Sequence, residues 1–375
     1  MNAAPRLSDS PRPNAAAEAD LCQELVSCLL CGGDDYRTVL IAADPVTGLG
    51  GNFRVVECRE CGLAFTNPRP TVASIGQFYP VDYAPHAERG HRSSLRDRIA
   101  RRLERAVLRT SFGYPPAARP GTRIASCLGR LMIRGSRQRQ TWFPFRPPGR
   151  LLDFGCGAGG FLREMRDFGW QVEGLDVSAP VAAQVEQSTG IRVRAGTLPH
   201  PELRGESFDA VTMWNSLEHV HRPRETVKAA RELLRPGGLL VIGVQNFESW
   251  SAGMFREHWH GLELPRHLTQ FTPATLRRML ETEGFRVRSI DQIGRVGWIR
   301  HSARRSLQAG NARWWTKLLT WKPVAKAIAG WSDNQDYQAQ RRKLQTLASK
   351  RAAGARPCQQ NFAGLGRNPR ATCQD

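Results

Sequence analysis

The run Leu151-Leu-Asp153-Phe-Gly155-Cys156-Gly157-Ala-Gly159-Gly160 sets a short apolar strand directly against a glycine-rich turn. Such a turn lets the backbone reverse sharply and brings a helix N-terminus over the carboxyl end of the strand. The alternation then repeats. Strands are expected at 151–154, 171–175, around Val193, at 210–214 and at 239–244, with helices starting at Gly159, Pro180 and Arg224. A further helix at 272–283 opens with Thr-Pro and stops at Gly284, and a strand at 287–290 follows it. Strands alternating with helices imply a parallel sheet covered on both faces, so the fold class is α/β, a Rossmann-like doubly wound sheet.

The glycine turn alone leaves its ligand open. Gly155, Gly157 and Gly160 satisfy a dinucleotide pattern, and Asp176 stands where an acid would hold an adenosine ribose. Asp153 tips the balance. A carboxylate two residues before the first glycine repels a pyrophosphate but can engage the amino group of a methionine moiety, while the loop amides suit a carboxylate.

Two further turns are equally specific. Cys28-Leu-Leu-Cys31-Gly and Cys58-Arg-Glu-Cys61-Gly each offer two thiolates from one tight turn, and together they make a tetrahedral set for a soft divalent ion. Zinc is the expected ion. With four protein ligands no position remains for water, so its role is structural. The chain has no signal-peptide-like leader and no long apolar run, so it is expected to be cytoplasmic, where thiols stay reduced. Cys22, Cys127, Cys358 and Cys373 are therefore read as ordinary thiols.

These features divide the chain. A disordered leader (1–20) precedes the zinc-binding module, a small zinc ribbon (21–85). An Arg-rich helical connector (86–147) then runs to the catalytic domain (148–298). A basic, Trp-containing helical segment (299–335) and a polar tail (336–375) complete it. The formal net charge is +20, which would ordinarily suggest an anionic partner. From Arg150 to Trp298, however, eighteen Lys and Arg face eighteen Asp and Glu, so the surplus lies in the flanking arms. Arg54, Arg59 and Arg69 on the ribbon could meet nucleic acid, but it has no dense basic or aromatic stripe, and a nucleic-acid partner is disfavoured. Membrane contact through Trp314, Trp315 and Trp331 is also disfavoured against packing on the domain itself. The sequence sets no oligomeric state.

Three more stretches agree with the glycine turn: Val172-Glu-Gly-Leu-Asp176-Val-Ser, Phe208-Asp-Ala-Val-Thr-Met-Trp214-Asn215-Ser-Leu-Glu218-His219-Val, and Leu233-Leu-Arg-Pro-Gly-Gly-Leu-Leu-Val. With them the chain resembles class I S-adenosylmethionine-dependent methyltransferases. Cys61-Gly-Leu-Ala-Phe-Thr-Asn-Pro-Arg-Pro70, Phe78-Tyr-Pro-Val-Asp-Tyr83 and Leu264-Pro-Arg266-His267-Leu-Thr-Gln-Phe271 are similar to a bacterial subgroup with an N-terminal four-cysteine module, associated with sugars, polysaccharides and natural products. The resemblance implies S-adenosylmethionine as cofactor. Asp153, Gly155, Cys156, Gly157 and Gly159 would line its methionine end, and Asp176 and Val177 its ribose and adenine edge. Thr197 and Leu198 would meet the adenine, although the family commonly carries an acid near Thr197. Trp214 and Asn215 complete the set. Members usually end on an antiparallel strand, but no alternating apolar segment is evident beyond Asp336.

Methyl transfer from a sulfonium mainly requires alignment and exclusion of water. A hydroxyl acceptor must also lose its proton, and Glu218, His219 and His267 are the candidate catalytic residues, with Arg266 able to grip an anionic group. His221 follows the same strand. The expected function is methylation of oxygen or carbon on a small molecule such as a sugar, a polysaccharide or lipid-linked intermediate, or a natural product. The alternatives are a zinc-ribbon RNA methyltransferase and a binding module without turnover. The turn at Trp214-Asn215-Ser-Leu lacks the Asn/Asp-Pro-Pro-aromatic pattern typical of base amino-group methylation.

Overall fold

A computed structural model describes residues 22–80, 95–115, 126–127, 143–310, 313–334 and 343–350. The expected leader, most of the tail and parts of the connector lie outside these residues. Five strands form the N-terminal module: β1 (Gln23–Glu24), β2 (Tyr36–Ala43), β3 (Asn52–Cys58), β4 (Ala64–Thr66) and β5 (Arg69–Pro70). Helix α1 (Leu95–Phe112) follows within the expected connector.

The catalytic domain starts just after the turn at Pro147–Pro148. Asp209 accepts the amides of Gly149 and Arg150 at 3.0 and 2.8 Å, and the Arg235 guanidinium holds its other oxygen at 3.0 Å. From there the chain alternates as expected: β6 (Arg150–Phe154), α2 (Gly160–Asp167), β7 (Gln171–Asp176), α3 (Ala179–Thr189), β8 (Val193–Ala195), β9 (Phe208–Trp214), α4 (Pro223–Leu233) and β10 (Leu234–Val244). An insertion carries α5 (Trp250–Phe255) and β11 (Thr269–Gln270) before α6 (Pro273–Thr282) and β12 (Phe285–Ile293). Helix α6 is capped reciprocally by Thr272 and Thr275, and Gly284 turns the chain out of it at a φ of 84°.

The central sheet has seven strands in the order β12-β13-β10-β9-β6-β7-β8, where β13 is Lys343–Lys350. Strands β6 to β10 are mutually parallel where they pair. β13 runs antiparallel to both neighbours, from Leu239↔Ser349 to Val244↔Leu344 on one side and from Phe285↔Lys350 to Ile293↔Lys343 on the other. This corrects the expectation that no strand would form beyond Asp336. Leu344 and Leu347 are three residues apart, so no two-residue alternation marks the segment, and backbone pairing to two neighbours specifies it instead.

Alternating side chains of the sheet feed two cores. Leu152, Phe154, Val211, Leu240 and Ile242 enter one, while Leu151, Ala210, Leu239 and Val241 enter the other. The first is continuous with Cys28, Leu30, Val56, Cys58, Leu63 and Phe65 of the module. The joint is also hydrogen-bonded, because β11 pairs with β4 and completes the four-stranded sheet β11-β4-β3-β2. Helices α7 (Val296–Gln308), α8 (Thr316–Leu319) and α9 (Lys322–Asn334) close a third cluster in which Ile299, Leu319 and Ala325 pack with Phe53, Phe78, Trp259 and Leu264.

Candidate active site and cysteine centre

The four cysteines converge. Sγ of Cys28 lies 3.4 Å from that of Cys61, and Sγ of Cys31 lies 3.5 Å from that of Cys58. All four atoms fall within 4.8 Å of one another. A tetrahedron with metal–sulfur bonds of about 2.3 Å places its sulfurs about 3.8 Å apart, so the donor set fits a zinc-sized ion. Gly32 and Gly62 follow each pair with φ of 81° and 74°, and each donates back to the first cysteine's carbonyl at 2.9 Å. Burial pushes the Cys28 and Cys61 thiols up. At Cys58 the amides of Cys61 and Glu60 outweigh burial and lower it. A bound cation would favour the thiolate at all four.

At the carboxyl ends of β6 and β7 the glycine turn is held tightly. Gly155, Gly157 and Gly159 have φ of 73°, 49° and 70°. A Cβ on Gly155 would lie 2.5 Å from Ser216 Cβ, and one on Gly159 would lie 2.5 Å from Val185 Cγ1. Asp176 ends β7 with both carboxylate oxygens engaged, accepting from Gly157 N at 2.9 Å and Ser178 N at 3.0 Å. The buried Asp153 accepts from Thr212 Oγ1 at 2.6 Å. Burial first, and then the charge of Asp176, raise its carboxyl to about 7 against the opposing Thr212 bond. Cys156 is buried in the turn, Val177 is exposed beside Asp176, Thr197 is exposed and Leu198 belongs to the core. Trp214 lies over Gly243 and edges onto Phe161 at 5.5 Å. Asn215 takes a φ of 53° and donates to Gly243 O. The buried Trp214 Nε1 and Ser216 Oγ have no hydrogen-bond partner among the described residues, as expected of polar atoms that await a polar ligand.

Above this turn, Glu218, His219 and His267 come together, with one ligand-type atom from each within 4.8 Å of the others. Glu218 and His219 sit in a short 3-10 turn after β9, and His267 comes from the insertion. The two imidazoles meet edge to face at 4.6 Å. Nδ1 of His219 is 3.0 Å from the Arg266 carbonyl, and Nδ1 of His267 is 2.9 Å from the Gly261 carbonyl. A carbonyl only accepts, so this network assigns the proton of His219 to Nδ1 and leaves its Nε2 with a lone pair, whereas Nε2 of His267 faces the Glu263 carboxylate at 3.5 Å. Burial, reinforced by His267, lowers His219 to about 3, so the ring is neutral near pH 7. His221 turns away and lies 3.0 Å from Pro70 O at the module joint.

Two residues without an expected role complete this region. Tyr79 of the module places its hydroxyl 3.0 Å from His219 Nδ1. Its only sequence signal is membership of the Phe78-Tyr79 pair, because nothing local to the module indicates a contact 140 residues away. Asp44 meets Arg266 in a bidentate pair at 2.7 and 3.0 Å, both side chains fully buried, and Arg266 also donates to Phe78 O at 2.8 Å. The expectation that Arg266 could grip an anionic substrate is corrected: its guanidinium ties the module to the insertion. Arg69 is likewise internal, pairing with Glu24 and donating to His221 O at 2.7 Å.

The strand order, the glycine turn and the acid ending β7 define the fold and cofactor cleft of a class I S-adenosylmethionine-dependent methyltransferase. Residues 130–290 match the family described as "Methyltransferase domain". The chain is 31% identical over 161 residues to a ubiquinone biosynthesis O-methyltransferase of Cereibacter sphaeroides, covering 40% of this chain and 63% of that protein. It is 32% identical over 144 residues to the enzyme of that name from Idiomarina loihiensis, covering 35% and 59%. The chain thus spans less than two thirds of these relatives. A solved S-adenosylmethionine-dependent methyltransferase from Mesorhizobium loti is 18% identical, with a TM-score of 0.38 over 54% of this chain and 90% of that one.

Proposed function

We propose that the protein transfers a methyl group from S-adenosylmethionine to a hydroxyl oxygen of a small molecule. The observation that carries this reading is the gathering of Glu218, His219 and His267 just after Ser216, which lies against the glycine turn, with Nε2 of His219 left with its lone pair. When bound, the cofactor supplies an activated methyl on a sulfonium. Asp153 would hold its ammonium, the loop amides its carboxylate, and Asp176 its ribose after releasing the amides it now accepts from. Val177, Thr197 and Leu198 would border the adenine. Trp214 and Asn215 would close the cleft.

His219 would then accept the proton of the attacking hydroxyl through Nε2, with its ring fixed by the Arg266 carbonyl and Tyr79. Glu218 and His267 would orient the acceptor. Oxygen is favoured over carbon because the curated relatives are named O-methyltransferases. Sugars, lipid-linked intermediates and natural products remain the acceptor classes. The cysteine centre would hold structural zinc. For RNA as acceptor the support is thin, since Arg69 is buried and Arg59 pairs with Asp35 at 3.3 Å.

The test is incubation of the purified protein with methyl-labelled cofactor and a metabolite extract, followed by mass spectrometry. Label is expected on a small hydroxylated compound. Label only in RNA, or no label despite cofactor binding, would overturn the reading.

A further inference from the structure

The segment from Gln292, near the end of β12, to Ser332 in α9 carries eight Arg and Lys and no Asp or Glu. Its middle displays a pattern that burial makes visible. Thr316 and Leu319 are buried and Trp315 packs against the third core cluster. Arg313, Trp314, Lys317, Leu318, Trp321 and Lys322 all face outward. Each of three successive turns thus presents one basic and one large apolar side chain to solvent. Trp314 is 84% exposed, Leu318 50% and Trp321 62%. The platform beneath them is fixed, since Arg300 Nε donates to Thr320 O at 2.8 Å and the Ala325 amide to Trp321 O at 3.0 Å.

Two exposed tryptophans one helical stretch apart gain nothing in water, yet an indole ring sits favourably at the boundary between headgroups and acyl chains. Basic side chains interleaved with them add attraction to anionic headgroups. The absence of any acid over forty residues removes the repulsion that would spoil it. We infer that the face formed by Trp314, Leu318 and Trp321, with Arg313, Lys317 and Lys322, docks the protein on an anionic lipid bilayer. The tryptophans enter the interface and the cations pair with lipid phosphates. This docking does not depend on methyl transfer, because the face contains no residue of the cleft.

Full-length protein is sedimented with vesicles of phosphatidylcholine, with and without phosphatidylglycerol. Binding is expected with phosphatidylglycerol and is expected to be weak without it. Reversing Arg313, Lys317 and Lys322 to Glu should lower partitioning by more than about a hundredfold. Trp314→Ser with Trp321→Ser keeps the charge and isolates the apolar contribution; it should also cost at least about tenfold and abolish quenching by brominated lipid. Circular dichroism and methyl transfer should stay unchanged in both variants. The inference is overturned if the wild type remains in the supernatant or the variants bind as well as it does. It also fails if the double variant dissolves a dimer or loses RNA affinity with no vesicle binding to lose.

Discussion

Asp44 of the N-terminal module and Arg266 of the catalytic insertion form a bidentate ion pair with both side chains fully withdrawn from water. The guanidinium beside it holds the Asp44 carboxyl below the usual carboxylate range, against the opposing effect of burial. The backbone of the same Arg266 accepts from His219, so the pair fixes both the module and the candidate base. Asp44→Asn should therefore destabilise the protein by about 3–5 kcal/mol, because it strands a buried cation. Urea unfolding would measure this, and a loss below about 1 kcal/mol would refute the assigned role.

Cofactor binding should fail without the acid at the end of β7. Asp176→Ala is expected to remove detectable S-adenosylmethionine binding by calorimetry while zinc content by elemental analysis stays the same. Retained affinity would show that the ribose is held elsewhere.

The carboxyl of Asp153, raised from 3.8 to about 7, gives cofactor affinity a pH signature. An ammonium partner favours the ionised form, so affinity should rise between roughly pH 6 and pH 8 in the wild type and stay flat in Asp153→Asn. The ligand-free protein should show the opposite trend. A raised folded-state value stabilises most below the unfolded value and is lost as pH rises through about 7, so Asp153→Asn should flatten that part of the melting profile. Equal pH dependence in both proteins would contradict the placement.

His219→Ala should lower kcat by about a hundredfold or more with cofactor affinity preserved. Tyr79→Phe should shift the pH profile of kcat and change KM little, because its hydroxyl holds the His219 ring at Nδ1. A purely structural role for His219 would instead lower the melting temperature and cofactor affinity together.

Zinc should leave with the fold of the module. Cys31→Ser is expected to lose stoichiometric metal, and because Cys28 and Cys58 belong to the same core as Leu152 and Phe154, the catalytic domain should melt at lower temperature too. A variant that is metal-free yet equally stable would show that the four thiols fold without an ion.

The sequence made the parallel sheet legible because short, mostly apolar strands alternate with helix signals and the first runs into a glycine turn, as at Leu151 to Gly155. The cysteine centre was legible because all four donors come from two local turns. What sequence reading missed depends on distant partners. Arg266 looked like an anion grip because its own neighbours say nothing of Asp44, 222 positions earlier. Tyr79 reaches His219 only once β11 has joined β4. Lys343–Lys350 carries no alternation and is a strand because β10 and β12 leave room for it.

The shared edge between Thr269–Gln270 and Ala64–Phe65 has a consequence for engineering. Neither partner can be exchanged alone. A chimera that borrows the acceptor-side insertion from another enzyme must borrow the cysteine-bearing half as well, since each supplies backbone groups the other needs. The two stretches, two hundred residues apart, should therefore travel as one cassette.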